Sequence, residues 1–178
     1  MKKTALLLTF ILTGIMLAAC SKTHSDPDSE YTGPKASIED FTPLINKEWS
    51  GTLTYLDYSG KNKRYTIPSK AKVDIRSNYK VAYQIEYPDE PHMNSTGKIR
   101  LSRDGTKLDK NIISRRELIP ENSLVLVTEA MGKDNNQAAM IRTTYEISDS
   151  RFVIRNDFKT PESEKYINRN EYVFKSNN

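Results

Sequence analysis

The chain has 178 residues, with 27 Lys or Arg against 23 Asp or Glu, and its formal net charge at pH 7 is +4. Charges so nearly balanced, without a dense basic patch, argue against nucleic acid as a partner. The single cysteine excludes a framework of disulfide bonds, so the core must stabilise the fold. The chain is long enough for one domain after its N-terminal segments, and too short for two.

The N-terminal segment has the three parts of a secretory signal. The basic start Lys2-Lys3 precedes an apolar stretch over residues 5–17, which is shorter than the roughly 20 residues that cross a bilayer. The sequence Leu17-Ala18-Ala19-Cys20 closes this stretch and resembles the lipobox of bacterial lipoproteins. The resemblance implies that residues 1–19 are a signal peptide and that Cys20 is lipidated and becomes the membrane anchor. The alternative is an ordinary signal peptide whose cleavage happens to leave a cysteine.

The residues after this cysteine predict where the protein lies. Ser21 stands where, by analogy with the lipoproteins, an aspartate would indicate retention at the inner membrane. We therefore expect the protein in the cell envelope, lipid-anchored at the outer membrane and facing the periplasm or the surface. Residues 20–36 are rich in Ser, Thr, Asp, Glu, Pro and Gly, as is typical of a flexible tether. The folded domain is expected over residues 37–178.

A short helical turn opens the domain. Ser37 followed by Asp40 is typical of a capping box, and apolar residues follow at helical spacing. Pro43 limits this helix to one or two turns. From Trp49 onward the period changes to two, and this residue shares one face with Gly51, Leu53 and Tyr55.

The same alternation predicts further strands near residues 70–76, 79–87, 141–147 and 166–175. Turn signals separate these runs, and Asp104-Gly105 is the strongest, because both residues tolerate the positive φ of a type I′ hairpin turn. The predicted fold is all-β, an antiparallel up-and-down meander of about 8–10 strands that closes into a barrel. A β-sandwich is the alternative, although it would need longer crossovers.

The helical turn followed by Trp49-Ser50-Gly51-Thr52-Leu53-Thr54-Tyr55 and a meander resembles the calycin-type barrels, which include lipocalins and fatty-acid-binding proteins. The phrases Arg151-Phe152-Val153-Ile154-Arg155 and Asn170-Glu171-Tyr172-Val173-Phe174-Lys175 are similar to those of uncharacterised bacterial lipocalin-like lipoproteins. The resemblance implies a calycin-like barrel from about residue 38 to residue 175. That group has no established activity to transfer.

A barrel of this size is either filled by its own side chains or holds one small ligand. The predicted register turns seven tyrosines inward, where Asn168 and Asn170 could bond their hydroxyls; the seven are Tyr55, Tyr65, Tyr79, Tyr83, Tyr87, Tyr145 and Tyr172. A packed aromatic core and a pocket of hydroxyls and amides both remain open. The candidate ligand-binding residues are Trp49, which would close one end, and Tyr55, Tyr83, Tyr145, Asn170 and Tyr172.

The sequence predicts neither a cofactor nor a metal. His24 and His92 are its only histidines, and the motifs of serine hydrolases, zinc proteases and phosphate loops are absent. An enzyme on a calycin-like scaffold is therefore the least favoured function. The first hypothesis is a membrane-anchored barrel that binds a small apolar or amphipathic ligand. The second is a packed barrel that acts as an interaction module on an envelope protein.

Overall fold

The computed structural model describes residues 31–59 and 63–177, so the predicted signal peptide, the anchor at Cys20 and most of the predicted tether lie outside it. Thr32–Asn178 forms one compact unit. A 3-10 helix, Ile38–Leu44, precedes ten strands, and a second 3-10 turn, Pro91–Met93, lies between the third and the fourth. The strands are β1 Trp49–Asp57, β2 Lys63–Ser77, β3 Lys80–Glu86, β4 Ser95–Arg100, β5 Lys107–Leu108, β6 Asn111–Ile119, β7 Ser123–Asp134, β8 Gln137–Ile147, β9 Arg151–Lys159 and β10 Ile167–Ser176.

The ten strands form one antiparallel sheet that curls into a nearly closed barrel. Strands adjacent in sequence are adjacent in space, and β10 returns to pair with β1, so the order runs from β4 through β1, β10 and β9 to β5. The seam between β4 and β5 is held by a bridge from Leu101 to Leu108 and by two flanking hydrogen bonds. The predicted all-β, antiparallel up-and-down barrel is confirmed, and the β-sandwich alternative is wrong because the connections are short hairpins and β10 pairs with β1.

The 3-10 helix closes one end of the barrel, which we call the closed end. Its first turn is fixed by the Asp40 carboxylate, which accepts a hydrogen bond of 3.0 Å from the Ser37 backbone N–H. Two side chains of this helix, Phe41 and Leu44, are fully buried. Trp49 is also fully buried, and its indole N–H donates to the Leu44 carbonyl at 2.9 Å. Within the described residues, no helix is long and apolar enough to span a membrane.

The core extends from the closed end toward the middle of the barrel. Trp49 meets Phe152 edge to face, with ring centroids 6.0 Å apart, and Phe152 stacks on Phe174 at 5.9 Å. Above these rings the inner side chains become more polar. A smaller apolar cluster of Leu56, Ala139 and Phe158 lies toward the other end of the barrel.

Parts of the predicted register are wrong. Tyr79 lies in the turn between β2 and β3 and is 45% exposed. Tyr65 lies opposite Tyr55 and therefore on the same face, as predicted, but near the start of β2 it is 43% exposed. In β10 the register shifts between Asn168 and Asn170, so Asn168 pairs with Asp157 and bonds its carboxylate at 3.0 Å. The shift is a β-bulge, which turns Asn168 away from the interior.

The turn chemistry also differs from the prediction. Gly105 adopts a positive φ of 74°, whereas Asp104 does not and instead accepts hydrogen bonds from Ser102 and Thr106. The predicted hairpin exists but is not of type I′. Paired positive φ angles occur instead at Asp109-Lys110, Glu121-Asn122 and Asn135-Asn136, where no glycine signals them.

Candidate functional site

Four tyrosines meet in the middle of the barrel, one layer above the closed end. Tyr83 lies in β3, Tyr145 in β8 and Tyr172 in β10, and Tyr87 directly follows the end of β3. All four pack in the main core. Ile154 of β9 pairs with both Tyr145 and Tyr172, which fixes their common level. We call these four residues the tyrosine cluster.

Among the described residues, one pair of hydroxyls in the tyrosine cluster is satisfied by the protein itself. The hydroxyls of Tyr87 and Tyr172 lie 2.7 Å apart and bond each other. The hydroxyls of Tyr83 and Tyr145 have no hydrogen-bond partner in the described chain, although Tyr145 is only 7% exposed. In that part of the chain Ser69 Oγ is the one fully enclosed side-chain atom without a partner, so the Tyr145 hydroxyl reaches open space. Burial raises the pKa values of Tyr83, Tyr145 and Tyr172.

A carboxylate adjoins the tyrosine cluster. Asp109 lies in the turn between β5 and β6 with a φ of 48°, and its Oδ1 accepts a hydrogen bond of 3.1 Å from the Arg100 backbone N–H. Burial raises the pKa of Asp109, against the lowering effect of that bond and of the nearby Arg100 and Lys98 charges. After burial, the charge of Asp109 is the next cause that raises the pKa values of Tyr83 and Tyr145.

A row of polar side chains crosses the inner face of three strands beyond the tyrosine cluster. Thr143 Oγ1 donates to Asn156 Oδ1 at 2.8 Å, and Asn156 Nδ2 donates to Asn170 Oδ1 at 3.0 Å. Tyr55 of β1 is the next cross-strand neighbour of Asn170, and its ring lies 6.0 Å from that of Tyr65. We call Thr143, Asn156 and Asn170 the polar row. All three are half-buried.

The polar row is directional, and it ends in a free donor. Each hydroxyl or amide N–H donates to the next amide oxygen, which leaves the Nδ2 group of Asn170 without an acceptor in the described part of the chain. The Tyr55 hydroxyl beside it likewise has no partner there. The inner face thus presents a donor from Asn170 and hydroxyls from the tyrosines, and hydroxyls can both donate and accept.

The structure separates the predicted site residues into two groups. Trp49 lies at the closed end, where its ring is packed and its N–H is bonded, apart from the others. The remaining five lie on inner faces in the middle of the barrel or at the polar row; they are Tyr55, Tyr83, Tyr145, Asn170 and Tyr172. Their role in binding a ligand stays a prediction.

The sequence analysis missed four residues of this site, namely Tyr87, Asp109, Thr143 and Asn156, and misassigned one interaction. Asn156 continues the inward alternation of Phe152 and Ile154, so the period-two pattern could have identified it. Asp109 lies in a turn and gave no periodic signal, and Tyr87 was predicted to face inward but was not assigned to the site. Asn170 bonds Asn156 rather than a tyrosine hydroxyl, contrary to the predicted pairing.

The outer surface carries two grooves of similar size and different charge. One, of about 510 Å³, lies on β2, β3 and β4 between side chains that include Lys72, Lys80 and Lys98. The other, of about 470 Å³, lies on β6 to β9 and contains Arg142 and Arg155. Both arginines are paired: Arg142 lies 2.6 Å from Glu129, and Arg155 lies 2.9 Å from Asp157. Lys80 and Lys98 form no ion pair with another described residue.

No family model and no curated protein matches the chain. Among solved structures it is similar to Rv2717c from M. tuberculosis, with 8% sequence identity, 79% of this chain and 97% of that chain covered, and a TM-score of 0.52. It also aligns with a single-residue mutant of the fluorescent protein UnaG, with 12% identity, coverage of 75% and 94%, and a TM-score of 0.36. At such low identity the first similarity shows a shared barrel fold and nothing of function.

Proposed function

We propose that this protein is an envelope lipoprotein whose barrel binds a small amphipathic ligand in its interior. The observation that carries the proposal is the set of inner polar groups without a protein partner in the described residues: the hydroxyls of Tyr55, Tyr83 and Tyr145, and the amide nitrogen of Asn170. Buried polar groups in folded proteins are nearly always hydrogen-bonded. These four groups are not fully enclosed, so water can reach them in the free protein, and a bound molecule with polar atoms would replace that water.

The surroundings of these groups favour a ligand with both apolar and polar parts. Leu53, Ile67 and Ile154 pack on the same inner face as the tyrosines and offer apolar contact. Ligand pockets combine such walls with a few polar groups that orient the ligand. A wholly apolar molecule would leave the hydroxyls unpaired, whereas a wholly polar one would desolvate without gaining apolar contact.

Native mass spectrometry of the mature chain, with Cys20→Ser to prevent lipidation, tests this proposal. After exposure to a mild extract of bacterial envelopes, we expect a reproducible bound mass on the folded protein. The double variant Tyr55→Phe, Asn170→Leu removes the donors at the end of the polar row. Each lost hydrogen bond is worth about 0.5–1.5 kcal/mol, so retention should fall by up to about a hundredfold in total. A stably folded protein that retains no adduct would exclude the proposal.

The membrane anchor rests on the sequence alone. Several acyl chains on Cys20 would hold the domain at a membrane, because each buried methylene contributes roughly 0.8 kcal/mol. Metabolic labelling with a tagged fatty acid is expected to mark the full chain and not its Cys20→Ser variant. Labelling of the variant, or its absence from the wild type, would contradict the anchor.

The second candidate is an interaction module for an acidic envelope protein. It is favoured by the outer face of β2 to β4, where the exposed Lys70, Lys80 and Lys98 form no ion pairs within the described chain. Complementary charges steer such encounters. Cross-linking in cells is expected to capture one partner with wild type and lose it with Lys80→Glu, Lys98→Glu. Capture unaffected by the charge reversal would exclude this candidate.

A further inference from the structure

We propose that two copies of this protein associate through the free edge of β6, where the strand pairs in the antiparallel direction with β6 of the second copy. We call residues 115–119, on the side of the strand away from β7, the free edge. The inference goes beyond the proposed function, because it needs no ligand inside the barrel. It starts from the backbone of a strand that is paired along one side only.

The neighbours of β6 leave much of its second side uncovered. The strand is nine residues long and pairs along one side with β7. Along the other side β5 pairs with Asn111 and Ile112, and the Ile113 N–H donates to the Thr106 carbonyl at 3.0 Å. No described strand continues this side over residues 115–119. An edge of this kind presents backbone groups that can pair with another strand.

The charges at the free edge are complementary to themselves. Arg115 and Glu117 pair with Val127 and Val125, which alternate with the core residue Leu126, so both charges lie on the outer face. Their side chains are 56% and 53% exposed, and the ion pair of 3.3 Å between them contributes little to stability at such exposure. Like charges would repel a second copy of the edge, as protective lysines do, whereas this opposite pair attracts one.

Strand alternation leaves one register that pairs these charges. Residues directly opposite each other in an antiparallel pair lie on the same face, so the two-fold axis passes beside a single residue. An axis at Arg115 or at Glu117 places that residue opposite its own copy, and like charges repel. An axis at Arg116 instead places Arg115 of each copy opposite Glu117 of the other. The charges select the third register, which forms two such pairs.

The inner face of the free edge is compatible with this axis. The Arg116 guanidinium lies 2.7 Å from Asp40 Oδ1 of the 3-10 helix, so each of the two guanidinium groups that approach at the axis has its own counterion. Leu118, two positions further along the strand, pairs with Leu124 at the margin of the core and is 69% exposed. The strand of a second copy would cover part of this side chain, and burial of apolar surface favours association.

Sedimentation equilibrium of the mature chain carrying Cys20→Ser tests the inference at protein concentrations up to about 1 mM. We expect a reversible equilibrium between monomer and dimer. Arg115→Glu alone and Glu117→Arg alone each place like charges opposite each other, and each should weaken association at least about tenfold. An equimolar mixture of these two variants restores both opposite pairs and should dimerise as wild type does. The double variant Arg115→Glu, Glu117→Arg should also dimerise, because the exchange preserves both pairs.

The matched control is Lys175→Glu. It makes the same change of charge as Arg115→Glu at an exposed residue of β10, which is paired on both sides, with Ser50 of β1 and Arg151 of β9. This strand has no free edge at that position, so the control should dimerise as tightly as wild type.

Each other outcome overturns the inference. A wild-type chain that stays monomeric up to about 1 mM excludes a second copy as the occupant and leaves the edge to a strand of a different protein. Dimers that persist in both single variants, or that are lost in Lys175→Glu, exclude the free edge of β6 as the interface. Single variants that stay monomeric when mixed, with a double variant that is also monomeric, exclude the pairing of Arg115 with Glu117.

Discussion

The closed end and the tyrosine cluster occupy neighbouring layers of one barrel, and they differ in whether the protein itself supplies hydrogen-bond partners for their polar groups. At the closed end the one indole N–H is bonded to a carbonyl, among fully buried aromatic rings. One layer above, two of four tyrosine hydroxyls find no partner in the described chain. Burial alone is therefore a poor guide to role: the polar group of the first layer is bonded within the protein, and two hydroxyls of the second layer are not.

The largest expected loss of stability comes from a substitution at the closed end. Trp49→Ala removes a fully buried ring and its hydrogen bond to Leu44, and should lower the free energy of unfolding by about 3–5 kcal/mol. Chemical denaturation measures the loss. Tyr79→Ala, in an exposed turn, is the control and should change stability by less than about 0.5 kcal/mol. A loss below about 1 kcal/mol for Trp49→Ala would contradict its place in the core.

Alkaline pH is expected to act on the tyrosine cluster. Burial raises the pKa values of Tyr83, Tyr145 and Tyr172, so the unfolded state releases their protons first as the pH rises. Stability is then constant below the unfolded tyrosine pKa of about 10 and falls above it, by up to about 1.4 kcal/mol per pH unit for each group. Unfolding curves recorded across this range test the sign. A stability that rises above a pH of about 10 would contradict it.

The smallest effect compares two hydroxyls within the tyrosine cluster. Tyr172→Phe breaks the bond to Tyr87 and leaves that hydroxyl unpaired, so it should cost about 1 kcal/mol. Tyr145→Phe removes a hydroxyl that bonds no described residue and should be nearly neutral in the ligand-free protein. Parallel thermal unfolding of the two variants measures the difference. The reverse order of stability would show that the Tyr145 hydroxyl, and not that of Tyr172, is held by the protein.

Strict alternation made the fold and part of the site predictable from the sequence. It placed Tyr145, Tyr172 and Tyr83 on inner faces because each has an apolar residue two positions away on at least one side. It failed for Asn168, because the bulge in β10 depends on how that strand pairs with β9, and pairing is a property of two segments.

The position of Asp109 lay beyond the reach of such patterns. Asp109 belongs to a two-residue turn, and no periodic signal places a turn side chain inside or outside a barrel. Its one side-chain hydrogen bond in the described chain, to the Arg100 N–H, follows from the way β4 and β5 meet. Asn156 was within reach, since it follows Ile154 at the same period, but a single polar residue on an apolar face is easily read as the end of a strand.

The seam beside Asp109 also bears on kinetics. In the described chain, two backbone hydrogen bonds flank the Leu101–Leu108 bridge between β4 and β5, from Ser102 N–H to Lys107 and from Asp109 N–H to Arg100. Two side-chain bonds add to them, from Arg100 N–H to Asp109 Oδ1 and from Lys107 N–H to Ser102 Oγ. Local opening that breaks so few bonds costs far less than global unfolding. The amide hydrogens of Ser102 and Asp109 should therefore exchange with solvent much faster than those of β8. Passage through this side of the wall, rather than through an end, would then set how long a bound molecule stays.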